Sequence, residues 1–336
     1  MPLDRSCLGF LGDTASPWPL QIDGGNMPDI SAALDLLDST FFLYPSAEAA
    51  EAGEQFGGSG VIIGVPLPGR PDILVRYAVT NWHVACKGGA SVIRLNKRDG
   101  GIHVVEKDPA EWTFIASGPD LAATPLSVPS GAVGTMVPTT MFALPDDAGA
   151  AFIGDDVFMV GRFIDFDGHE TNKPALRFGA ISMIEAPVRQ PTSYEGRSYI
   201  VDMHSRSGFS GSPVYVYRPG GIMQLPFKLT NTDLPKLTGP KPSHRTWGMG
   251  NNTEVRLLGV QWGQFPEEWE IRGEAETAAP EASLIREGAY VRGFSGMSCV
   301  VPASDILLVL NAPKLVEQRK ALANDRAFLN RFPVPE

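Results

Sequence analysis

The sequence predicts an all-β protein, built as a barrel or sandwich and closed by a C-terminal helix. Three observations predict it. The chain carries 36 glycines and 29 prolines in 336 residues, well above the ~12% that the two usually make up, and they are spread along it as turn signals. Short apolar segments recur between those turns. Only the last segment puts its apolar residues at helical spacing. With 43% hydrophobic and 20% charged residues, the chain can bury a large core. About 150 residues per domain would give two domains, although all-β barrels run to roughly 200–250 residues as one unit.

Each element follows in order from its residues. Residues 1–27 are rich in Gly, Pro and Asp and read as an extended arm; 29–37 reads as one or two helical turns with Asp29 as N-cap, so the arm is set at 1–37. Residues 40–43 read as a strand, 47–55 as a small acidic loop, and 57–67 (GGSGVIIGVPL) as a Gly-led apolar strand. Residues 73–80 (ILVRYAVT) form another strand that runs straight into Asn81-Trp82-His83. Shorter β segments follow at 90–95, 102–106 and 112–115, and 125–150 is rich in Pro, Gly and Ala, as a crossing between two halves would be. Strands are then expected at 157–163, 175–184, 198–203 and within 205–217 (SRSGFSGSPVYVY), before a polar, Pro-rich insertion at 218–253. VRLLGVQWG (255–263), an acidic loop (266–285) and GMSCVVPASDILLVL (296–310) come next. In 313–332, Leu315, Leu322, Phe328 and Leu329 fall near helical spacing, as in an amphipathic closing helix. No repeat of fixed period is present.

Composition also excludes. A formal net charge of −10 with no Lys/Arg-rich block repels phosphate backbones and argues against nucleic acid as partner. Cys7, Cys86 and Cys299 have no CxxC spacing, so they make neither a zinc site nor a disulfide framework, and they point to a reducing compartment. The first residues lack a basic stretch followed by an apolar core, and no run approaches ~18 apolar residues. A cytoplasmic protein without a membrane span is the expectation.

Three segments carry chemistry. Gly208-Phe209-Ser210-Gly211-Ser212-Pro213 leads into an apolar strand. A hydroxyl there lies beside backbone N–H groups, as acyl transfer requires, and the glycines allow close approach of the backbone to a carbonyl. The Gly208 and Ser210 amides are the candidate oxyanion donors; the plain alternative is a Gly/Ser turn. His83 follows a β run within Val79-Thr80-Asn81-Trp82-His83-Val84, where a strand end can fix a neutral imidazole as general base. His103, His169, His204 and His244 lack such a context. Asp120, in Gly118-Pro119-Asp120-Leu121-Ala122, suits a buried carboxylate that orients an imidazole. The order His, Asp, Ser is one of the known orders of serine hydrolases, and G-x-S-x-G is absent.

On these motifs the chain resembles the trypsin-like serine peptidases, nearer to bacterial HtrA/Deg-like members than to digestive ones. TNWHVA (80–85) resembles the family's T-N-x-H-V, PDLAA (119–123) its D-L-A, and SGFSGSPV (207–214) its G-N-S-G-G-P, with Phe209 and Ser212 as departures. GDDVFMVG (154–161) resembles the strand opening the second barrel, FGAIS (178–182) the strand after it, VQWG (260–263) the strand that pairs with substrate, and GMSCVVP (296–302) the strand closing the specificity pocket. Asp202 stands eight residues before Ser210, as an Asp does in the Deg-like motif. The resemblance covers about 38–325 and implies two six-stranded antiparallel barrels, near 38–130 and 150–312, with a helix at 313–332. It implies no metal or organic cofactor, and too little sequence follows it for a PDZ domain.

The resemblance implies a serine endopeptidase acting on protein or peptide, with His83, Asp120 and Ser210 as triad and Gly208 and Ser210 as oxyanion hole. It places the specificity pocket among His204, Ser207, Gln261, Trp262, Gly263, Met297 and Ser298. No acidic residue stands at 204, so a preference for Arg or Lys is not supported. Asp202 or the acidic run 267–275 could bear on it, and the preference stays unassigned. A second reading is a catalytically silent fold serving as a binding or scaffold module, with Phe209 blocking the serine loop. Within the first reading, the arm 1–37 and the insertion 218–253 are candidate restraints of a latent enzyme, or surfaces for a regulatory protein.

Overall fold

Runs such as Val61-Ile62-Ile63 and Val157-Phe158-Met159-Val160 are apolar at every position because both faces of their strands are buried. The computed structural model describes residues 8–10, 36–54, 57–145, 151–164, 169–205, 207–218, 254–270, 290–330 and 332. In it, alternate residues of each strand go to different cores. Ile62 faces a cluster with Phe41, Leu43, Ile93 and Trp112 inside the first half. Val157 and Met159 face a second cluster with Val201, Val214, Leu258 and Val300 inside the second half. Val61, Ile63, Phe158 and Val160 join a third cluster, in the seam between the halves. The two-residue period of a strand therefore fills three cores from one set of strands.

The first half is a sheet of β1 (Leu8–Phe10), β2 (Thr40–Tyr44), β3 (Ser59–Leu67), β4 (Arg70–Thr80), β5 (Val92–Asn96), β6 (Ile102–Val105), β7 (Ala122–Pro125) and β8 (Val137–Pro138). The order is β1-β4-β3-β2-β5-β6, with β7 also on β4 and β8 on β3. Its pairs are antiparallel except β3 with β8. The second half closes completely: β9 (Asp156–Arg162), β10 (Pro174–Arg189), β11 (Glu195–Asp202), β12 (Pro213–Arg218), β13 (Glu254–Glu270) and β14 (Tyr290–Pro302) form a barrel in the order β10-β11-β14-β13-β12-β9. Closure leaves it no unpaired edge. Helices Ala303–Leu310, Pro313–Asn324 and Arg326–Leu329 follow, and Ile306, Leu315, Leu322 and Phe328 cap the seam.

Several elements differ from the sequence expectation. The segment expected as an acidic loop is helical over Ala47–Ala52: Ser46 accepts from the Ala49 amide, and Gly53 ends the helix in the left-handed region. Residues 112–115 form no strand, only an isolated bridge from Thr113 to Ala123. β13 runs on to Glu270, into the acidic stretch expected as a loop. The closing helix is broken at Asp325, whose side chain caps the last short helix, and a further helix precedes it at Ala303–Leu310. Apart from Leu8–Phe10, which pairs with β4, and Leu36–Leu37, the arm lies outside the described residues, as does 219–253 of the insertion. Among the described residues, no helix is long and apolar enough to cross a membrane.

Candidate active site

β4 ends at Thr80, and the chain enters one wide helical turn, His83–Lys87. Such π-type turns often mark functional positions. Asp120 precedes β7 and is fully buried. Its two oxygens are both given to His83: Oδ1 accepts from the backbone N–H at 2.9 Å, and Oδ2 lies 2.6 Å from Nδ1. That pair of bonds fixes the ring in one orientation and presents Nε2 outward, because only a protonated Nδ1 can donate to a carboxylate. The backbone around Asp120 is pinned in turn. Its N–H donates to Gln190 Oε1 at 2.7 Å, and its carbonyl accepts from Asn81 Nδ2 at 2.9 Å. Cys86, in the same turn as His83, is no rival nucleophile. Burial, and then the charge of Asp120, push its thiol up to about 11.

The serine loop comes from the other half. The Ser210 carbonyl accepts from the Ser59 amide at 2.8 Å, and the Gly211 amide donates to the Gln261 carbonyl at 2.9 Å. Gly58 marks where the two halves meet. A Cβ there would lie 2.6 Å from the Ser210 carbonyl oxygen and 3.0 Å from a Val84 methyl. Gly211 has φ +89°, and a Cβ on it would fall 1.9 Å from the Ser59 carbonyl oxygen, so no other residue fits. Gly208 also has positive φ. Among the described residues the Gly208 and Ser210 amides make no backbone hydrogen bond. Phe209, between them, is fully buried with the barrel core, and the Arg177 guanidinium lies 5.1 Å from its ring centre. Its ring is therefore part of the barrel core.

The residues expected around the specificity pocket divide. His204 and Ser207 are exposed, with Gly296 against the His204 ring, and Gly263 borders open space. Gln261 and Ser298 are buried and bind backbone: Gln261 Nε2 donates to the Gly263 carbonyl, and Ser298 Oγ to that of Met203. Trp262 donates to Ser198 Oγ at 3.3 Å and packs with Met297 against Ile200 and Cys299. Asp202 is exposed at the end of β11.

A closed six-stranded barrel beside a second β half, with a His–Asp pair from one and a Gly-flanked serine from the other, settles the architecture. The fold is the trypsin-like double β-barrel. No family model matches the sequence, and no curated protein does. Among solved structures the chain is similar to the MamO protease domain from Magnetospirillum magneticum in its apo form, at 14% identity and a TM-score of 0.42, covering 83% of this chain and 98% of that one. It is similar to the HtrA-type protease AlgW with a tripeptide at 16% identity and 0.41, over 85% of this chain and 63% of that one. AlgW with a decapeptide gives 15% and 0.38, over 80% and 52%. The chain thus spans a little over half the length of the AlgW chains.

Three participants had no signal of their own in the sequence. Gln190 and Ser59 act across separations of 70 and 149 residues, which no local motif records. Asn81 stood inside the histidine motif, but its bond to the Asp120 carbonyl is legible only in three dimensions.

Proposed function

We propose that the chain is a serine endopeptidase acting on protein or peptide, with His83, Asp120 and Ser210 as its triad. The observation that carries this reading is the double hold of buried Asp120 on His83, with Nδ1 at 2.6 Å; the Gly208 and Ser210 amides, which make no backbone hydrogen bond among the described residues, support it. In the reaction His83 Nε2 takes the proton of Ser210 Oγ as the oxygen attacks the scissile carbonyl. Asp120 stabilises the imidazolium, which then protonates the leaving amine. The Gly208 and Ser210 amides receive the oxyanion, where the loss of one donor typically lowers kcat by ~10²–10³. Water, deprotonated by His83, releases the acid from the serine ester. No step needs a metal or cofactor. The exposed His204 and Ser207 and the half-buried Gly263 are the proposed contacts for substrate side chains, and residues 38–332 the proposed peptidase unit. A cytoplasmic setting and restraint by the arm or the insertion belong to the same reading.

The test is covalent labelling by a fluorophosphonate probe. Wild type should label, and Ser210→Ala and His83→Ala should not. Folded wild type that fails to label at any pH between 6 and 9 would favour the scaffold reading.

A further inference from the structure

A second cavity lies away from the serine, at one end of the closed barrel. It has a volume of about 370 Å³, at the small end of the range for ligand sites and enough for one side chain or a small molecule. It opens where the inward-facing row of β11 runs out of the barrel. Val201 and Tyr199 on that row belong to the barrel core, and Tyr199, Arg197 and Glu195, two residues apart in turn, line the cavity. Glu185 of β10 and Asp305, in the first turn of helix Ala303–Leu310, complete the polar wall.

Its charges do not balance. Arg197 is bound to Glu185, with Nη1 and Oε1 2.8 Å apart. Glu195 and Asp305 have no ion pair or hydrogen bond among the described residues. Tyr199 is 8% exposed and lines the cavity, with no hydrogen bond from its hydroxyl to the described residues. Glu185 is held at φ +56°, at an irregularity of the β10–β11 register between Met183 and Ala186. Bulges of this kind re-aim side chains beside functional sites. Burial pushes the Asp305 carboxyl up to about 6 against the pull of Arg197, and burial, then Glu185 and Asp305, raise the Tyr199 hydroxyl. Arg197 is the one positive side chain on the wall, and its ion pair is with Glu185.

We propose that this cavity binds one cationic group on a short apolar stem, an alkylguanidinium or alkylammonium, held between Glu195 and Asp305 with the Tyr199 oxygen accepting from it. A bare ion would leave most of the volume empty, and the Tyr199 ring suits a stem. An anion would meet two carboxylates. The site is independent of the hydrolytic reading and would stand in a protein that cleaves nothing.

The test is calorimetric titration of the full chain with butylguanidinium at pH 7.5 and low salt, repeated on protein carrying Ser210→Ala. Saturable one-to-one binding is expected in both, weakened about tenfold in Asp305→Asn and in Glu195→Gln, the worth of one charged hydrogen bond, and several-fold in Tyr199→Phe. Butylammonium should bind and 1-pentanol should not. A capped glycine peptide with one central arginine tells the sources apart: tighter binding than butylguanidinium assigns a protein side chain, weaker binding a free small cation. Absence of saturable binding, equal affinity in the Asp305→Asn/Glu195→Gln double variant, or binding of phosphate instead would overturn the proposal. Thermal melts check that each variant folds, and Glu195→Gln and Tyr199→Phe carry the comparison if Asp305→Asn does not.

Discussion

His83 and Ser210 come from opposite halves of the chain, which touch at Gly58, and they are held by different forces. The imidazole is fixed by a buried carboxylate that spends both oxygens on it, bonds whose strength comes from charge in a low-dielectric setting. The serine loop is fixed by backbone bonds to Ser59 and Gln261, by glycines that allow backbone to touch backbone, and by the buried Phe209 ring. One half can therefore lose its chemistry without a change of volume. In the other, packing and chemistry fail together.

The largest effect should come from Asp120→Asn, which keeps the shape and removes the charge. An amide cannot accept at both positions where the carboxylate accepts now, so its NH₂ faces either the His83 backbone N–H or Nδ1. The ring is then driven to the wrong tautomer, and fluorophosphonate labelling should slow by ~10⁴ at pH 7. A loss under tenfold would show that the bond is only structural.

Phe209→Ala should break the other half. Removing a fully buried aromatic ring costs about 3–5 kcal/mol, and the amides on either side lose their anchor, so labelling should fall by ~10²–10³. Phe209→Leu keeps most of the volume and should cost less than about 1.5 kcal/mol, with near-normal labelling. Chemical denaturation paired with labelling rates checks both. Full labelling in a destabilised Phe209→Ala protein would separate packing from chemistry and dissolve the contrast.

Legibility in the sequence follows the same division. Strands buried on both faces announce themselves as continuous apolar runs, so β3, β4 and β9 were readable. The pairing of His83 with Asp120 and the Gly-flanked loop at Ser210 are legible because each residue sits in a short motif whose local geometry its neighbours determine. The helix at Ala47–Ala52 is hard to read because its acidic, Ala-rich residues suit an exposed loop as well, although Ser46 and Gly53 cap it. The 112–115 segment was overread, because Trp112 is buried in the first half's core without a strand around it. Gln190 and Ser59 were out of reach of any such reading. Their roles come from partners brought close only by folding, as do the charges of the Glu195–Asp305 cavity.

Ser59 joins the two halves, and its removal should give the smallest of these effects. It is fully buried; its hydroxyl accepts from the Arg162 amide at 3.0 Å and donates to the Gly208 carbonyl at 2.9 Å. Arg162 is itself fully buried, with its guanidinium 4.3 Å from the Tyr44 ring centre and bonded to the Tyr44 hydroxyl, so it is a rigid support. Ser59→Ala leaves a buried amide without its acceptor, costing about 1–3 kcal/mol, and frees the Gly208 carbonyl to rotate. Labelling should slow by roughly tenfold, equivalent to about 1.4 kcal/mol of transition-state stabilisation. In the Ser59→Ala/Asp120→Asn double variant the two losses should add as free energies, because Ser59 touches neither Asp120 nor His83. That additivity separates loop positioning from the electrostatic half: a double variant slowed by less than the product of the single effects would mean that the two halves are coupled through the seam.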